Sequence, residues 1–411
     1  MNIINNKVFR QTTALSIGNF FSLLSGFVIS LILPKALGSY DYGIFSLVCS
    51  IVSFFVVFFE FGIFVSSAKF LLNIKDSKEQ DYVIAMAVKI LVPIAFLLAG
   101  WIYFSSLFID TILVDKIGVF LMISSYLSVS AILPFVSEQL LKATNQIYKL
   151  AIFNLLAKIF YLLFITSGLI FDYLSVKFCC LAFLLSPIVS FYIVFNKYFF
   201  LKVERKRYLL NEIININKEF GIKNYLGRVT STSVQQINRL IIGYFCGAVD
   251  VGLFSLSISI TTPVYLISQS LSISRFQSFS NRRILSKMFI LTHIGIIVFV
   301  SGVCLIFAWL LFNCYYKDLY ENGMIVISIS LLATTVQAGY IPYNDWLAAN
   351  GLGNEMFLVA NIYSILGLVL NFTLIPLYGI YGAVFTLIFM NMYFLLHCVF
   401  FYEKNKEKKI E

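Results

Sequence analysis

The sequence has little charge and almost no histidine. Charged residues make up 12% of the 411 residues, against about 25% in an ordinary soluble protein. There are two histidines, and no GxxxxGK[ST], HExxH or GxSxG motif occurs. These absences argue against an ATPase and against the common hydrolases. They predict a protein that is not an enzyme and that needs no cofactor.

Cysteine is also sparse and without pattern. The seven cysteines are an odd number, and most lie inside or at the ends of apolar runs with no CxxC pair. A disulfide framework or a zinc site would need paired spacings. We therefore expect neither a disulfide framework nor a metal site.

What the sequence does contain is long apolar runs. Hydrophobic residues make up 60% of the chain, and a helix that crosses a membrane needs about 20 mostly apolar residues. The runs predict an all-α polytopic membrane protein with twelve transmembrane helices. The predicted spans are residues 12–33, 43–68, 83–108, 117–141, 150–171, 174–196, 224–246, 251–274, 288–312, 323–347, 357–377 and 378–400.

The distribution of lysine and arginine predicts the orientation. The net charge is +10, and most of the positive residues outside the spans fall in segments on the same side as the N-terminus. Because cytoplasmic loops carry the excess of Lys and Arg, we expect both termini in the cytoplasm. The charge is thus a topology signal, and no nucleic-acid partner is expected.

A duplicated stretch predicts two related halves. Residues 31–51 match residues 240–260 at 10 of 21 positions, including Gly38/Gly247, Asp41/Asp250 and Gly43/Gly252. Six spans per half return the second copy to the same orientation, so the repeat is parallel, with two six-helix lobes around a central cavity. Asp41 and Asp250 are predicted helix N-caps in short outside turns.

This repeat sets the domain boundaries. We expect an N-terminal six-helix lobe at 1–196, a linker at 197–223, a C-terminal six-helix lobe at 224–400 and a charged cytoplasmic tail at 401–411. The linker is basic, and its apolar residues recur at roughly helical spacing. It is interpreted either as an interfacial helix or as a plain basic connection.

Span 7 carries the clearest functional signal. Its polar residues recur at helical spacing on one face, which we expect to line the cavity. These residues are Arg228, Ser231, Thr232, Gln235, Asn238 and Arg239. Two arginines on one wall suit a phosphate or pyrophosphate group; the alternative is that either arginine reaches the membrane interface. In the repeat, Asn19 of span 1 occupies the position of Arg228.

Other ionisable residues also lie within spans. Lys158 is a second candidate for the cavity, and Glu60 is a candidate coupling site for an ion or a neutraliser of Arg228. A further set is predicted to be interfacial because its members lie near the ends of spans. This set comprises Lys89, Glu138, Asp345, His293 and His397.

Short motifs carry a resemblance to a known family. Pro34, Leu37, Gly38, Tyr42, Gly43 and Phe45 follow the pattern P-x-x-L-G-x-x-x-Y-G-x-F, with E-F-G at 60–62. The second half contains LAANGLGNE at 347–355 and LNFTLIPLYGIYGA at 370–383. The chain resembles the Wzx-type polysaccharide flippases, which carry O-antigen or capsule repeat units, of the multidrug/oligosaccharidyl-lipid/polysaccharide exporter superfamily.

The resemblance implies a function and a location. It implies alternating-access transport of an undecaprenyl-pyrophosphate-linked oligosaccharide across the bacterial inner membrane to the periplasmic leaflet, in O-antigen, lipopolysaccharide or capsule synthesis. Arg228 and Arg239 would then contact the pyrophosphate, and Asn19, Gln235 and Asn238 the sugars. It also implies coupling to H⁺ or Na⁺ at Glu60; a polysaccharide polymerase is a further partner to consider, beside membrane lipids.

Three alternatives remain at this stage. A drug/cation antiporter of the same superfamily would need acidic residues in the cavity, and residues 12–33 contain no aspartate. A lipid II flippase usually has about fourteen spans, more than the twelve predicted here. A membrane glycosyltransferase or O-antigen polymerase generally needs a sizeable outside loop, and no such loop is predicted.

Overall fold

The computed structural model describes residues 7–281, 284–316, 319–320 and 323–407, and over this part of the chain it contains helices and no strand. A 3₁₀ segment lies at Ser128–Ile132, and π-helical segments lie at Asn217–Gly221 and Leu311–Tyr316. The α-helices are α1 (Lys7–Leu37), α2 (Ser39–Phe59), α3 (Ile63–Asn73), α4 (Ser77–Ser106), α5 (Ile109–Ile112), α6 (Gly118–Ser125), α7 (Leu133–Ala143), α8 (Ile147–Ile170), α9 (Val176–Phe200), α10 (Lys206–Ile216), α11 (Ile222–Phe245), α12 (Ala248–Asn281), α13 (Lys287–Leu310), α14 (Gly323–Ala349), α15 (Gly353–Tyr378) and α16 (Ile380–Glu407).

These helices confirm the all-α polytopic architecture. Among the described residues, nine helices are long and apolar enough to cross a membrane, or ten if Gly118–Ser125 and Ser128–Ala143 form one span bent by 74°. With the bent pair counted as one span, ten of the twelve predicted spans are present in the described part of the chain. The remaining two correspond to α1, of which Leu24–Leu37 is an apolar helix, and to α11, which carries the polar residues of predicted span 7. The second predicted span, 43–68, is not continuous, because α2 ends at Phe59 and α3 begins at Ile63.

The chain forms two compact units. The first comprises α1 and Ile44–Gln236, and the second comprises Gly38–Gly43 and the chain from Ile237 onward. The boundary therefore falls within α11, whereas the sequence division placed it at 223/224. Within the first unit, α10 occupies part of the predicted linker and packs on α3 and α4, with Leu209 and Ile213 buried.

Polar contacts hold helices together in each unit. In the first, Ser190 of α9 donates to the carbonyl of Phe153 in α8 at 2.8 Å. In the second, α12 and α14 pack closely along their lengths, and a ladder of hydroxyl groups joins them. Small residues allow close approach of helices in membranes, and hydrogen bonds between them replace those that lipid cannot offer. The rungs are Ser257/Ser330 at 3.1 Å and Thr261/Thr334 at 3.0 Å.

The duplicated turns have the same local geometry. Gly38 and Gly247 both have left-handed backbone, with φ of 87° and 89°, which glycine adopts without strain. Helices α2 and α12 begin directly after them. The predicted N-caps at Asp41 and Asp250 were therefore misplaced, because both aspartates lie inside the first helical turn. An acidic residue there still stabilises the helix N-terminus.

Candidate functional site

The candidate site of the first unit is built on the break between α2 and α3. Phe61 and Gly62 both have positive φ, 49° and 72°, and the chain is not helical over Glu60, Phe61 and Gly62. Such a break frees backbone carbonyls that must find new donors within a membrane. The break thereby creates a polar point in an otherwise apolar run.

Residues from the start of α11 and the segment before it satisfy these carbonyls. The Asn217 amide donates to the carbonyl of Phe61 at 3.1 Å, and its oxygen accepts from the Ser66 hydroxyl at 3.0 Å. The Tyr225 hydroxyl donates to the carbonyl of Phe58 at 2.9 Å. The break is thus held by groups about 160 residues later in the chain.

The backbones approach too closely here for larger residues. A Cβ atom added to Gly62 would lie 2.4 Å from the carbonyl oxygen of Gly221, and one added to Gly221 would lie 2.1 Å from the Ser66 hydroxyl. Gly62 also needs its positive φ, so any side chain there would be both strained and crowded. These glycines fix the position of Glu60 relative to α11.

An ion pair forms at this junction. Arg228 Nη2 donates to Glu60 Oε1 at 2.9 Å, and the guanidinium carbon lies 3.6 Å from the centroid of the Phe135 ring in α7. The Glu60 side chain is 3% exposed and that of Arg228 is 34% exposed. The carboxylate is therefore desolvated, while the guanidinium retains access to the outside of the packed protein. Glu60 is placed to neutralise Arg228.

Lys158 lies elsewhere in the first unit, on α8. Its ammonium is 3.9 Å from the position that a Cβ of Gly26 would occupy, and α1 and α8 pack against each other along their lengths. No carboxylate among the described residues forms an ion pair with it. A lysine within a span is costly unless it is neutralised, so Lys158 remains a candidate functional residue.

The other predicted site residues are divided between the two units. Asn238 and Arg239 belong to the second unit, where Asn238 is buried and accepts a hydrogen bond from the Asn371 amide of α15. Arg239 is half-buried. Asn19 and Gln235 lie on α1 and α11, but their side chains are outside the described residues.

The residues predicted to be interfacial divide into two groups. Glu138 is exposed and pairs with Lys142 at 2.5 Å, and Lys89 donates at 2.8 Å to the carbonyl of Leu201, just beyond the end of α9. His293 does not fit the prediction, because it is 2% exposed and its Nε2 lies 3.0 Å from the Ser268 hydroxyl. The sequence places His293 near the start of a predicted span, and this position alone does not show that the side chain is buried between helices.

Sequence reasoning missed the residues that hold the break. Asn217 lies in the predicted linker, Tyr225 at the start of span 7, and Phe135 in an apolar run with no distinguishing signal. The sequence singled out Glu60, as a possible neutraliser of Arg228 and as part of the E-F-G motif at 60–62, but neither signal predicted a break in the helix. Over the described residues, no group of three or more His, Cys, Asp or Glu side chains is placed to hold a metal ion.

The fold defines a multi-pass membrane protein built from packed apolar helices, with an ion pair buried where one of them breaks. Residues 8–271 match the model of the family described as polysaccharide biosynthesis protein. The chain belongs to this family. An uncharacterized membrane protein of Methanocaldococcus jannaschii is 23% identical over 383 residues, which cover 89% of this chain and 90% of that protein.

Solved structures share the fold. The lipid II flippase MurJ in an inward closed conformation aligns with a TM-score of 0.70 and 15% identity over 96% of this chain and 89% of that one. An inward-facing multidrug resistance MATE family transporter of the MOP superfamily aligns with a TM-score of 0.67 and 13% identity over 95% of this chain and 96% of that one. At these identities the likeness concerns the fold alone.

The family match and the shared fold agree with the resemblance that the sequence carries. The chain is a multi-pass membrane protein of the polysaccharide biosynthesis protein family, and it shares its fold with a lipid II flippase and a multidrug transporter. By their names, these two structural neighbours are a flippase and a transporter.

Proposed function

We propose that the chain moves an undecaprenyl-pyrophosphate-linked oligosaccharide from the cytoplasmic to the periplasmic leaflet of a bacterial inner membrane, with both termini in the cytoplasm. The observation that carries the proposal is Lys158, a cation within a span that no carboxylate of the described residues neutralises. A pyrophosphate is the anion that such a lysine would complement. Membership of a polysaccharide biosynthesis family supports the glycan part of the proposal.

The cations have different roles in this proposal. Lys158 and Arg239 contact the pyrophosphate, and Asn19, Gln235 and Asn238 contact the sugars. Arg228 is held by Glu60 at 2.9 Å, so it offers a full charge to the substrate only when the carboxylate is neutralised. Binding of a proton by Glu60 would release the guanidinium, which makes Glu60 the proposed coupling site.

The main alternative is a drug/cation antiporter. The MATE-like fold suits that function as well, so the two differ in the charge of the substrate. A cationic drug would be repelled by Lys158 and would need an uncompensated acid, whereas Glu60 already carries its own counterion. We do not propose that the chain is itself a polymerase. A separate polysaccharide polymerase is proposed only as a partner that uses the translocated repeat unit.

Complementation tests the proposal. In a strain that lacks its own flippase for a defined repeat unit, the wild-type chain should restore surface polysaccharide. Lys158→Ala and Arg239→Ala should each lower the restored amount at least tenfold, because a hydrogen bond to a charged group contributes about 1.5–3 kcal/mol. Lys177→Ala is the matched control, since Lys177 is an exposed lysine at the start of α9.

Two results would count against the proposal. Full restoration by both Lys158→Ala and Arg239→Ala would show that these cations do not bind the substrate. Drug resistance without restored polysaccharide would identify the antiporter instead. Variant abundance in the membrane is measured in parallel, so that loss of protein is not taken for loss of transport.

A further inference from the structure

The first unit carries an exposed cluster of positive charge directly after α9. Lys202, Arg205, Lys206 and Arg207 lie within six residues of each other, and all four side chains are exposed. Over the part of the chain that the structure describes, none of the four forms an ion pair. We call these four residues the basic patch. The proposed transport mechanism does not use them.

The basic patch begins where the chain leaves the membrane. Helix α9 is long and apolar enough to span, and it ends at Phe200. Phe199 and Phe200 have exposed side chains, and exposed apolar side chains on a span contact lipid. Lys202 follows two positions later. The patch therefore lies at the level of the lipid head groups.

The segment that bears the patch is held against the rest of the unit. The Lys89 ammonium of α4 donates to the carbonyl of Leu201 at 2.8 Å. Val203 is buried, as are Leu209 and Ile213 where α10 packs on α3 and α4. A ligand would thus meet cations on a backbone that is already in place, which lowers the entropy cost of binding.

One acidic residue lies inside the cluster without neutralising it. The carboxylate of Glu204 is next to the Tyr82 hydroxyl of α4, and it forms no ion pair with a cation of the patch among the described residues. Residues 202–207 hold four positive side chains and one negative side chain. The patch is therefore positive overall and complements an anion.

Helix α10 adds an apolar flank beside the patch. Arg207, Leu210 and Ile214 are spaced by three and four residues, so they lie along one side of the helix. Ile214 is exposed and Leu210 is partly exposed. Apolar and basic side chains together are typical of a helix that lies at a membrane surface. An anionic lipid complements both the charge and the flank, whereas a nucleic acid would complement the charge alone.

We propose that the basic patch binds anionic phospholipids, with their phosphates against its four cations and their acyl chains beside Phe200 and Ile214. Clusters of four or more Lys and Arg directly after a spanning helix or on an amphipathic helix are typical of such binding. Both residue types form charge-assisted hydrogen bonds to phosphate oxygens. The inference does not depend on the proposed transport substrate.

Photolabelling of the purified full chain in phosphatidylcholine nanodiscs tests the inference. The probe is a phosphatidylglycerol with a diazirine on its acyl chain near the glycerol, and the comparison probe is a phosphatidylcholine with the same chains. After photolysis and pepsin digestion, mass spectrometry measures the labelling of peptides from residues 197–216. Phosphatidylglycerol should label them at least tenfold more at low salt, because each cation near an anionic surface contributes up to about fivefold. In about 1 M salt most of this preference should disappear, since exposed charges are screened.

A double substitution separates the patch from the overall charge. Lys206→Gln/Arg207→Gln should lower the preference for phosphatidylglycerol at least fivefold, by the same contribution of each cation. Lys116→Gln/Lys177→Gln is the matched control, because it removes the same charge from exposed lysines outside the patch; its preference should equal that of the wild type. Lys206→Arg/Arg207→Lys keeps the charge and should also retain the preference. All these side chains are exposed, so every variant should unfold at the wild-type midpoint, which is measured in parallel.

Four outcomes would overturn the inference. Equal labelling by the two probes in the wild type would show that the patch does not select anionic lipid. A preference that survives Lys206→Gln/Arg207→Gln would place the binding elsewhere. An equal loss in the Lys116→Gln/Lys177→Gln control would show that the overall charge attracts the lipid. Binding of a fluorescent single-stranded RNA that phosphatidylglycerol does not displace would identify nucleic acid as the partner.

Discussion

Replacing Arg228 with alanine is expected to destabilise the protein by about 3–5 kcal/mol, the usual cost of stranding one member of a buried ion pair. Glu60, whose side chain is only 3% exposed, would lose its counterion, and either keeping a buried charge or binding a proton costs free energy. Glu60→Gln should cost less, because Arg228 is 34% exposed and still lies over Phe135. The two substitutions differ in their cost to stability because Glu60 is buried and Arg228 is partly exposed.

A double-mutant cycle measures this coupling. In the Glu60→Gln background no charge is left to strand, so Arg228→Ala should cost only about 1 kcal/mol for the lost contact with the Phe135 ring. The free energy of unfolding is measured for the four proteins in mixed micelles. The coupling between the two residues should exceed about 2 kcal/mol.

An exposed ion pair of the same unit is the control. Glu138 and Lys142 in α7 are 46% and 52% exposed, so Lys142→Ala should change stability by less than about 1 kcal/mol. If Arg228→Ala costs the same in both backgrounds, Glu60 and Arg228 do not stabilise each other and the proposed control of Arg228 by Glu60 fails.

The second large effect is expected at Gly43. A Cβ atom on this residue would lie 1.9 Å from the carbonyl oxygen of Ala248, and both belong to the second unit. The obstacle is backbone at the start of α12, which a rotamer change cannot move. Gly43→Ala should therefore force the first turn of α2 away and cost about 2–3 kcal/mol, the upper range for overpacking.

Thermal unfolding in detergent checks this result against a glycine without neighbours. Gly100 in α4 has open space around its would-be Cβ, so Gly100→Ala should leave the midpoint unchanged or raise it slightly, as expected for alanine in a helix. Gly43→Ala should lower the midpoint clearly. Equal midpoints for the two variants would mean that α2 and α12 do not approach closely at this point.

The scaffold was the more predictable part, because it depends on composition and repetition. Long apolar runs must form helices in a membrane, and the duplicated glycines Gly38 and Gly247 indeed share one backbone conformation. The sequence also indicated a polysaccharide-related family, and the family match over residues 8–271 agrees with it. It did not show the interruption at Phe61 and Gly62, because an apolar run is equally compatible with one continuous helix and with two short ones.

The candidate site was less predictable, because it depends on contacts between distant residues. The sequence named Glu60 as a possible neutraliser of Arg228, 168 positions later, and the structure shows this pair. Helical spacing could not decide between this role and the others that the sequence left open. Nor could it show that Asn217 caps a carbonyl at the break. His293 was misjudged for the same reason, since its burial depends on Ser268 and on a carbonyl freed by Pro342.

The central claim is that the chain translocates a polyprenyl-pyrophosphate-linked glycan by means of intramembrane cations. The most direct test is a reconstituted system in which purified protein and fluorescent undecaprenyl-pyrophosphate-linked oligosaccharide are placed in liposomes, and an impermeant quencher reports the leaflet of the label. The wild type should move the lipid at least tenfold faster than protein-free liposomes. Lys158→Ala should lose most of this acceleration while Lys177→Ala retains it. A wild-type rate equal to that of protein-free liposomes, with transport of a cationic dye instead, would contradict the account.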